Sequence, residues 1–578
     1  MKNLKYTDIL KFNKALESDV SKYTPYDIKV ISNIITSQFN DIFEYVLRNQ
    51  QINAKVESGD YDNILQDALK FFSSNTIVIF WELSNLVNGL QYKAETMDKQ
   101  EIDDLIEKTK NEIDFVFKHL EHSPNVILNK FSALIFSYSF LKENTFERIG
   151  NILNDYISEK LPSNFTLINI DKIFSKLSIE KSVDFRYYYS SKSLYTIEFY
   201  KEYSKFIAPI VFSLLGKTKK AFIFDCDNTL WKGVVGEEGV NGIELSTKDK
   251  NGGVFEEIHH LIRALSKQGV LIGFCSKNNS EDIEEVFLKR KDFALRNEDI
   301  IIKKINWNDK VKNLREIAVE LNIGIDSLVF IDDSSFEVDY VRENLPEVTT
   351  LEVGDRLYNY PLMLRENYDL FYKKNYSEED KDRASLYKIE ESRKIERGNF
   401  ASLDQYLLSL EITIEVYIND ETIIGRAAQL TQKTNQFNFT TYRYTESDIE
   451  RFIKSENYIL YVFRVADKFG DYGTTGMAII HFVDNQAEIN TFLMSCRIIG
   501  RNIEIAFLNF ILKDLQTKGF NIVLSKYIST VKNKQLQSFY EDFGFTLKSD
   551  QNNIKEYILK LKEHQYRNVD YINLNISK

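Results

Sequence analysis

Residues 221–232 read Ala-Phe-Ile-Phe-Asp-Cys-Asp-Asn-Thr-Leu-Trp-Lys. The apolar run carries a strand out of a core and ends on Asp225, with a second carboxylate, Asp227, two residues on. That spacing brings one side chain and one backbone carbonyl near a single point, where a divalent cation can take hard oxygen ligands. Taken alone, the pattern reads equally well as a charged turn after a buried strand. Three further signals follow. Ser276 ends an apolar run (270–275) and precedes Lys277 and Asn278. Lys310 closes Asn-Trp-Asn-Asp-Lys (306–310). Asp332 and Asp333 close the apolar run 327–331. Each lies at or just beyond a predicted strand end, with helical segments between. Open parallel α/β sheets bind ligands at the carboxyl ends of their strands, so the four signals converge on one crevice.

The order Asp225-x-Asp227-x-Thr229, then Ser276, Lys310 and Asp332-Asp333 resembles the haloacid dehalogenase (HAD) superfamily of phosphoryl-transfer enzymes. The resemblance implies an aspartyl-phosphate formed on Asp225, with Asp227 protonating the leaving oxygen and later taking a proton from water. Thr229, Ser276, Lys277, Asn278 and Lys310 would form the phosphate-binding set. Mg²⁺ would be held by Asp225, the carbonyl of Asp227, and Asp332 or Asp333, with Asp333 favoured. Dehalogenating and ion-pumping members lack the second aspartate, so Asp227 points to phosphatase or phosphomutase chemistry. The loop 231–251 and the segment between Ser276 and Lys310 are too short for a large cap domain. The site is therefore expected to be open, which suits a bulky substrate such as a group carried on a protein.

The 578 residues predict about three or four domains. A net charge of -12, with no basic run carrying interleaved aromatics, argues against a nucleic-acid binder. No apolar h-region opens the chain and no stretch is long enough to span a membrane. Three scattered cysteines make no disulfide framework, so the reading is a cytoplasmic protein. His259 and His260 read as surface or partly buried helix residues. Residues 1–200 alternate strands (28–32, 53–56, 77–80, 126–128, 166–170) with helices (37–49, 61–72, 98–119), which predicts an N-terminal Rossmann-like parallel α/β domain in a scaffold or docking role. Within it, 56–61 reads as a loop and 187–204 as a helical connector. A HAD-like core with minimal cap follows over 215–360, then a charged helical linker over 361–405, densest at 376–397. Residues 406–578 carry strands at 412–416, 458–465, 475–482 and 487–494, a helix over 503–517 and a strand at 522–525. With Arg497-Ile-Ile-Gly500-Arg501 before the helix, this part resembles the Gcn5-related N-acetyltransferase (GNAT) fold, where turn amides at a helix N-terminus cradle a pyrophosphate. Asn502 stands where that family has a second small residue, which weakens the case for acetyl-CoA.

Phe-Arg-Tyr-Tyr-Tyr at 185–189, together with 217–233, 433–441, 469–473 and 494–500, makes nearly the whole chain similar to the FkbH-like proteins of HAD subclass IIIC. That resemblance implies a phosphorylated three-carbon substrate derived from 1,3-bisphosphoglycerate. Its glyceryl unit would be dephosphorylated and loaded onto the phosphopantetheine thiol of an acyl carrier protein, in polyketide-type or related biosynthesis. Cys496, beside Arg497, Gly500 and Arg501, reads either as a thioester-forming nucleophile, since neighbouring cations and a helix N-terminus lower a thiol pKa, or as a small buried hydrophobe. Asn435, Gln436 and Asn438 read as substrate or pantetheine contacts, against a plain polar turn; Asp471 and Tyr472 carry less. Cys226 and Cys275 end apolar strands and read as packing. Three functions follow: a coupled phosphatase and acyl transferase, a plain Mg²⁺-dependent phosphatase with recruiting domains, and an acetyltransferase-like or carrier-binding scaffold with a vestigial HAD site.

Overall fold

The structure is a computed structural model and describes residues 4–136, 141–374, 400, 402–483, 485–530 and 532–577. The chain forms two compact units, 1–211 and 212–578. Its fold class is the expected multidomain α/β. The charged helix expected over 376–397 lies outside the described residues. Among the described residues no helix is long and apolar enough to cross a membrane.

The first unit is built on a five-stranded parallel sheet in the order β2-β1-β3-β4-β5: β1 (Pro25–Ser32), β2 (Asn53–Tyr61), β3 (Thr76–Phe80), β4 (Val126–Asn129) and β5 (Phe165–Ile168). Every residue of β3 and β4 is buried, as a strand covered on both faces requires. The helix Lys99–Leu120 covers one face with Ile102, Leu105, Ile106, Ile113, Val116 and Phe117, and starts at a capping box between Asp98 and Glu101. Two local expectations change. Residues 56–61 are strand, not loop, because they pair with β1. The connector 187–204 is two helices, Phe185–Ser191 and Ile197–Leu214, broken at Lys192 (φ 59°). Aromatic rings fill the carboxyl end of this sheet. Phe80 packs against Phe39, Tyr195, Tyr200 and Tyr203. Tyr203 donates to Asn129 (2.7 Å) and Tyr195 to the buried Glu82 (2.6 Å).

The second unit contains two sheets. One is parallel, in the order β10-β9-β6-β7-β8: β6 (Ala221–Phe224), β7 (Leu271–Ser276), β8 (Ile302–Ile305), β9 (Leu328–Asp332) and β10 (Thr349–Glu352). Its register sets Phe224 beside Ile331 on one side and Phe274 on the other, so Asp225 and Asp332 leave neighbouring strands side by side. Gly273 permits the close stacking of strands: a Cβ there would meet Ile302 at 2.6 Å. The helix Gly252–Lys267 buries Phe255, Ile258, His259, Ile262 and Leu265. His259 is therefore a fully buried core residue, beyond the surface or partly buried position expected. Its Nε2 lies 2.6 Å from the Leu230 carbonyl, and burial drops its pKa to about 4, so it is neutral and serves packing. Tyr360, Leu364 and Phe371 join this core, which thus runs past residue 360.

The other sheet has eight strands in the order β16-β17-β15-β14-β13-β12-β11-β18: β11 (Thr413–Ile418), β12 (Tyr458–Asp467), β13 (Gly470–Val483), β14 (Gln486–Met494), β15 (Ile522–Ile528), β16 (Thr546–Gln551), β17 (Ile554–Lys560) and β18 (Asn573–Ile576). It is mostly antiparallel, with β11 and β18 parallel and with β14 and β15 parallel and joined through the helix Ile503–Thr517. This sheet meets the parallel one at the amino end of β9, where Lys532 pairs with Asp326 (2.6 Å) and Lys219 donates to the Asp326 carbonyl (2.7 Å). Gly216 (φ +64°) lies against the Gln432 carbonyl, which a Cβ would approach to 2.4 Å.

Glu82 gives a test of the first unit. Burial pushes its carboxyl up to about 7, the Tyr195 hydrogen bond opposes that, and Asp171 adds to it. A carboxyl whose pKa is raised on folding favours the native state when protonated. Its contribution is therefore full below the unfolded value near 4.5 and is lost as pH rises toward 7. Glu82→Gln should leave stability at pH 5 little changed and raise it at pH 8 by up to ~3 kcal/mol, as read by denaturant unfolding of the full chain at both pH values.

Candidate active site

The crevice at the carboxyl ends of β6, β7 and β9 gathers the residues that the sequence singles out. Oxygens of Asp225, Asp332 and Asp333 lie within 4.8 Å of one another. Three carboxylates so close would repel unless a cation sits among them, and Lys310 supplies one. It is the first residue of the helix Lys310–Glu320, capped by Asp309, and only 4% exposed. Its Nζ donates to Asp225 Oδ1 (2.7 Å) and to Asp332 Oδ2. Burial disfavours the ammonium, but Asp225 and Asp332 outweigh it and hold the Lys310 pKa above the ordinary lysine value. Burial lifts Asp225 to about 7 against the pull of Lys310, with Asp332 and Asp333 adding to the rise.

The two adjacent aspartates are not equivalent. Asp332 Oδ2 accepts a hydrogen bond from Lys310 Nζ and Oδ1 accepts from Ser334 N (3.0 Å), so both its oxygens are engaged. Asp333 is half-buried, and no other described residue donates a hydrogen bond to its carboxylate. The geometry thus favours Asp333 over Asp332 as a metal ligand. An all-oxygen set of Asp225 and Asp333 fits a hard divalent cation. The Asp227 side chain stands outside that cluster. Its Oδ1 accepts from Trp231 Nε1 (2.8 Å) and Val235 N (3.1 Å), and its Oδ2 from Asn278 (2.9 Å). Three donors fix it in one rotamer beside Asp225, which is what a proton-transfer group needs.

Ser276 is buried and accepts from Asn278 (3.2 Å). Thr229 is fully buried at the turn after Asp227. Lys277, expected on phosphate, reaches instead to Glu337 (2.6 Å) on the helix Ser335–Asn344. Cys226 and Cys275 are buried, and burial raises both thiols well above their ordinary pKa, in keeping with packing. The sequence reading passed over Trp231. It is fully buried, and a buried indole needs a partner for its N–H; that requirement, four residues after Asp227, was the available signal. The segment 231–251 adds one short helix, Val235–Glu238, and no domain over the crevice.

The C-terminal candidates are distributed differently. β14 and β15 pair only at 487–489 with 523–525 and then part. Parted strands expose backbone groups that an extended ligand could take up. Here residues 437–439 take them up. Phe439 N donates to the Phe492 carbonyl, Met494 N to that of Phe437, and Ile528 N to that of Phe439. Thr440 Oγ1 donates to the Asn490 carbonyl. Asn438 is fully buried within this wedge. Its amide donates to Thr434 O (3.2 Å), its Oδ1 accepts from Thr441 N (2.8 Å), and its carbonyl accepts from Asn533 (2.9 Å). Asn438 is thus a structural residue and not a ligand contact. Asn435 accepts from Arg443, and the Gln436 carbonyl accepts from Gln535 (3.3 Å). Arg501 also turns into the fold, over the Tyr472 ring (4.9 Å) and toward Asp467 (3.8 Å). Arg497 Nε donates to Ser495 (3.2 Å), and Asp471 pairs with Arg464. Gly500 (φ 84°) is exposed, and Asn502 (φ 61°) caps the helix Ile503–Thr517. Cys496 opens the short helix Cys496–Ile498; its side chain lies outside the described residues.

Neither a family model nor a curated protein matches the sequence. Among solved structures the chain is similar to the N-terminal part of the protein BF1531 from Bacteroides fragilis, which contains a phosphatase domain and is complexed with Mg. Identity is 22%, the TM-score is 0.57, and the match covers 64% of this chain and 100% of that one. This likeness shows the fold. It is also similar over 26% of its length to the ribosomal-protein-S18-alanine N-acetyltransferase from Escherichia coli (13% identity, 94% of that chain, TM-score 0.21). A spermidine N-acetyltransferase SpeG variant from Vibrio cholerae matches the same share (12% identity, 95% of that chain, TM-score 0.21). Scores of that size carry no argument.

Trp231→Phe keeps the ring and removes one donor to Asp227; if the crevice carries out the phosphoryl transfer proposed below, kcat should fall on the order of 10-fold with KM little changed. Asn438→Ala strips the wedge of two buried hydrogen bonds and should lower stability by about 1–3 kcal/mol, read by denaturant unfolding.

Proposed function

We propose that the chain is a Mg²⁺-dependent phosphoryl-transfer enzyme that works through an aspartyl-phosphate on Asp225. One observation carries this reading: a buried carboxylate, paired to Lys310, stands at a strand end beside a second carboxylate locked by three donors. In the forward step an Asp225 oxygen attacks phosphorus and the bond to the leaving oxygen breaks. That oxygen takes its proton from Asp227. In the second step water attacks phosphorus, Asp227 accepts the water proton, and the aspartyl–phosphorus bond breaks to free inorganic phosphate. Lys310 orients Asp225, and its charge lowers the repulsion between the carboxylate and an anionic substrate. A divalent cation held by Asp225 and Asp333 would supply further charge neutralisation on the phosphoryl oxygens. The Mg bound to the similar Bacteroides fragilis structure supports that choice of ion.

The finer reading is a phosphatase coupled to acyl transfer. It dephosphorylates a glyceryl phosphate derived from 1,3-bisphosphoglycerate and loads the three-carbon unit onto an acyl carrier protein in the cytoplasm. The motifs at 433–441, 469–473 and 494–500 support it, as does the absence of a cap domain between Leu230 and Lys310 among the described residues. A second reading, a plain phosphatase whose other domains recruit the substrate, is favoured by the filled gap between β14 and β15.

Intact-mass spectrometry of a phosphopantetheinylated carrier protein, incubated with the enzyme, Mg²⁺ and enzymatically generated 1,3-bisphosphoglycerate, separates them. The coupled reading expects a glyceryl adduct from the wild type. It expects a phosphoglyceryl adduct from Asp225→Asn and none from Cys496→Ala. Free phosphate without any adduct would leave the plain phosphatase. Phosphate release unchanged in Asp225→Asn would sink both.

A further inference from the structure

The chain has three tryptophans, and Trp307 differs from the other two. Trp81 and Trp231 are buried and pack on Phe131 and Phe293, whereas Trp307 is 71% exposed. Among the described residues no aromatic ring packs on it. An indole left in water is unusual, because tryptophan is one of the side chains with the most apolar area to gain from burial. Packing of the parallel sheet therefore does not account for this residue.

Its place in the fold does. Trp307 lies two residues past β8 and three before Lys310, the lysine that reaches Asp225. Asn306 N donates to the Ser276 carbonyl (3.1 Å), which pins this turn to the end of β7. Trp307 Nε1 donates to Asn279 Oδ1 (3.2 Å), and the Asn279 amide donates to Asp282 (3.1 Å). Asn279 directly follows Asn278, which donates to Asp227 (2.9 Å) and to Ser276 (3.2 Å). The loop after β6 comes alongside the same helix start. Asp282 lies 4.0 Å from where a Cβ on Gly236 would stand, and the neighbouring Val235 N donates to Asp227 (3.1 Å). Asn279 and Asp282 thus belong to the wall of the crevice, and the indole is tethered to that wall by its one polar atom. Across β6, the pair of Lys277 with Glu337 (2.6 Å) runs from the end of β7 to the helix after β9. That side of the mouth is bridged by an ion pair, and the β7–β8 side, where Trp307 stands, is not.

We propose that Trp307 is the specificity-determining residue of this crevice, whose indole receives the leaving group of a phosphate ester that extends beyond the ester oxygen as an apolar segment. The assignment rests on the phosphoryl-transfer reading above and names the class of substrate that the site takes. Groups that hold the phosphoryl oxygens treat every phosphate ester alike, so discrimination has to come from contact with the rest of the substrate. A tethered indole suits that task, since it offers a large rigid surface and has little conformational freedom to lose.

Phosphate release in the presence of Mg²⁺ would be measured for the full-length wild type, Trp307→Ala, Trp307→Phe and Asp225→Asn. The two probes are 2-naphthyl phosphate and glycerol 2-phosphate, whose leaving group is short and polar. Trp307→Ala should raise KM for the naphthyl ester about 10-fold more than KM for the glycerol ester, with kcat for the naphthyl ester held within about 2-fold. Trp307→Phe keeps a ring and should recover most of that loss. A role exerted through Lys310 or Asn278 would instead lower kcat for both esters alike, and that result would overturn the proposal, as would an equal change in both KM values. Isothermal titration of Asp225→Asn, with and without Trp307→Ala, supplies a readout that needs no turnover. Adding Trp307→Ala should weaken 2-naphthyl phosphate about 10-fold relative to inorganic phosphate. Unweakened binding of the naphthyl ester would overturn the role of Trp307 while the phosphate site stands. If neither ligand binds, or if Asp225→Asn releases phosphate as fast as the wild type, the phosphoryl-transfer reading falls and the role of Trp307 falls with it.

Discussion

Like charges 4.8 Å or less apart inside a protein must be compensated, and the ammonium of Lys310 is what allows Asp225, Asp332 and Asp333 to share one crevice. The rest of the parallel sheet can be read as the means of putting it there. The register of β6 against β9 brings Asp225 level with Asp332, and β8 ends where the chain can turn into the helix that Lys310 begins. Placing the lysine at the first helical position points a cation at carboxylates that are anchored on strands, so neither side of the pair rests on a mobile loop. Burial makes the arrangement demanding. Without the lysine, the buried carboxyls of Asp225 and Asp332 would be driven toward their protonated forms.

Much of this was legible in the sequence because parallel strands buried on both faces read as uninterrupted apolar runs, and polar residues stand out where the runs stop. Asp225, Ser276 and Asp332 were all found that way. What each does with its hydrogen bonds was not legible. That Asp332 faces Lys310 while Asp333 stays unengaged depends on side-chain direction after a strand end, which spacing does not specify. Lys277, adjacent to a site residue, turns to Glu337 for the same reason. Trp231 was hidden by its chemistry, since a large aromatic residue near a core is most simply core, and only the position of its N–H makes it more. His259 erred in the opposite direction: it read as a surface or partly buried helix residue, but it lies fully buried on the apolar face with Phe255 and Ile262.

The C-terminal sheet marks where sequence patterning gave out. Five of its eight strands were read from apolar runs, while β16, β17 and β18 were not. Residues 437–439 read as a polar turn with aromatics, and nothing local announces that two parted strands will close around them. Phe437 and Phe439 pack into a cluster with Phe492, Phe539 and Tyr540, so the wedge is held by core aromatics as well as by backbone hydrogen bonds. Such a contact joins segments far apart in sequence and has no periodic signature.

The contact between the two sheets of the second unit has a consequence for traffic. Asp326, which Lys532 grips, lies just before β9, whereas Asp332 and Asp333 lie at its far end. The seam and the carboxylate crevice are therefore about one strand apart, ~15 Å, with a packed core between them. No channel of side chains need join the seam to the crevice, and a small molecule released at the mouth would diffuse into solvent before it reached the other sheet. A group visiting both ends of this unit would keep its identity as a passenger only if it stayed tethered, with a leash long enough to go around the outside of the sheet.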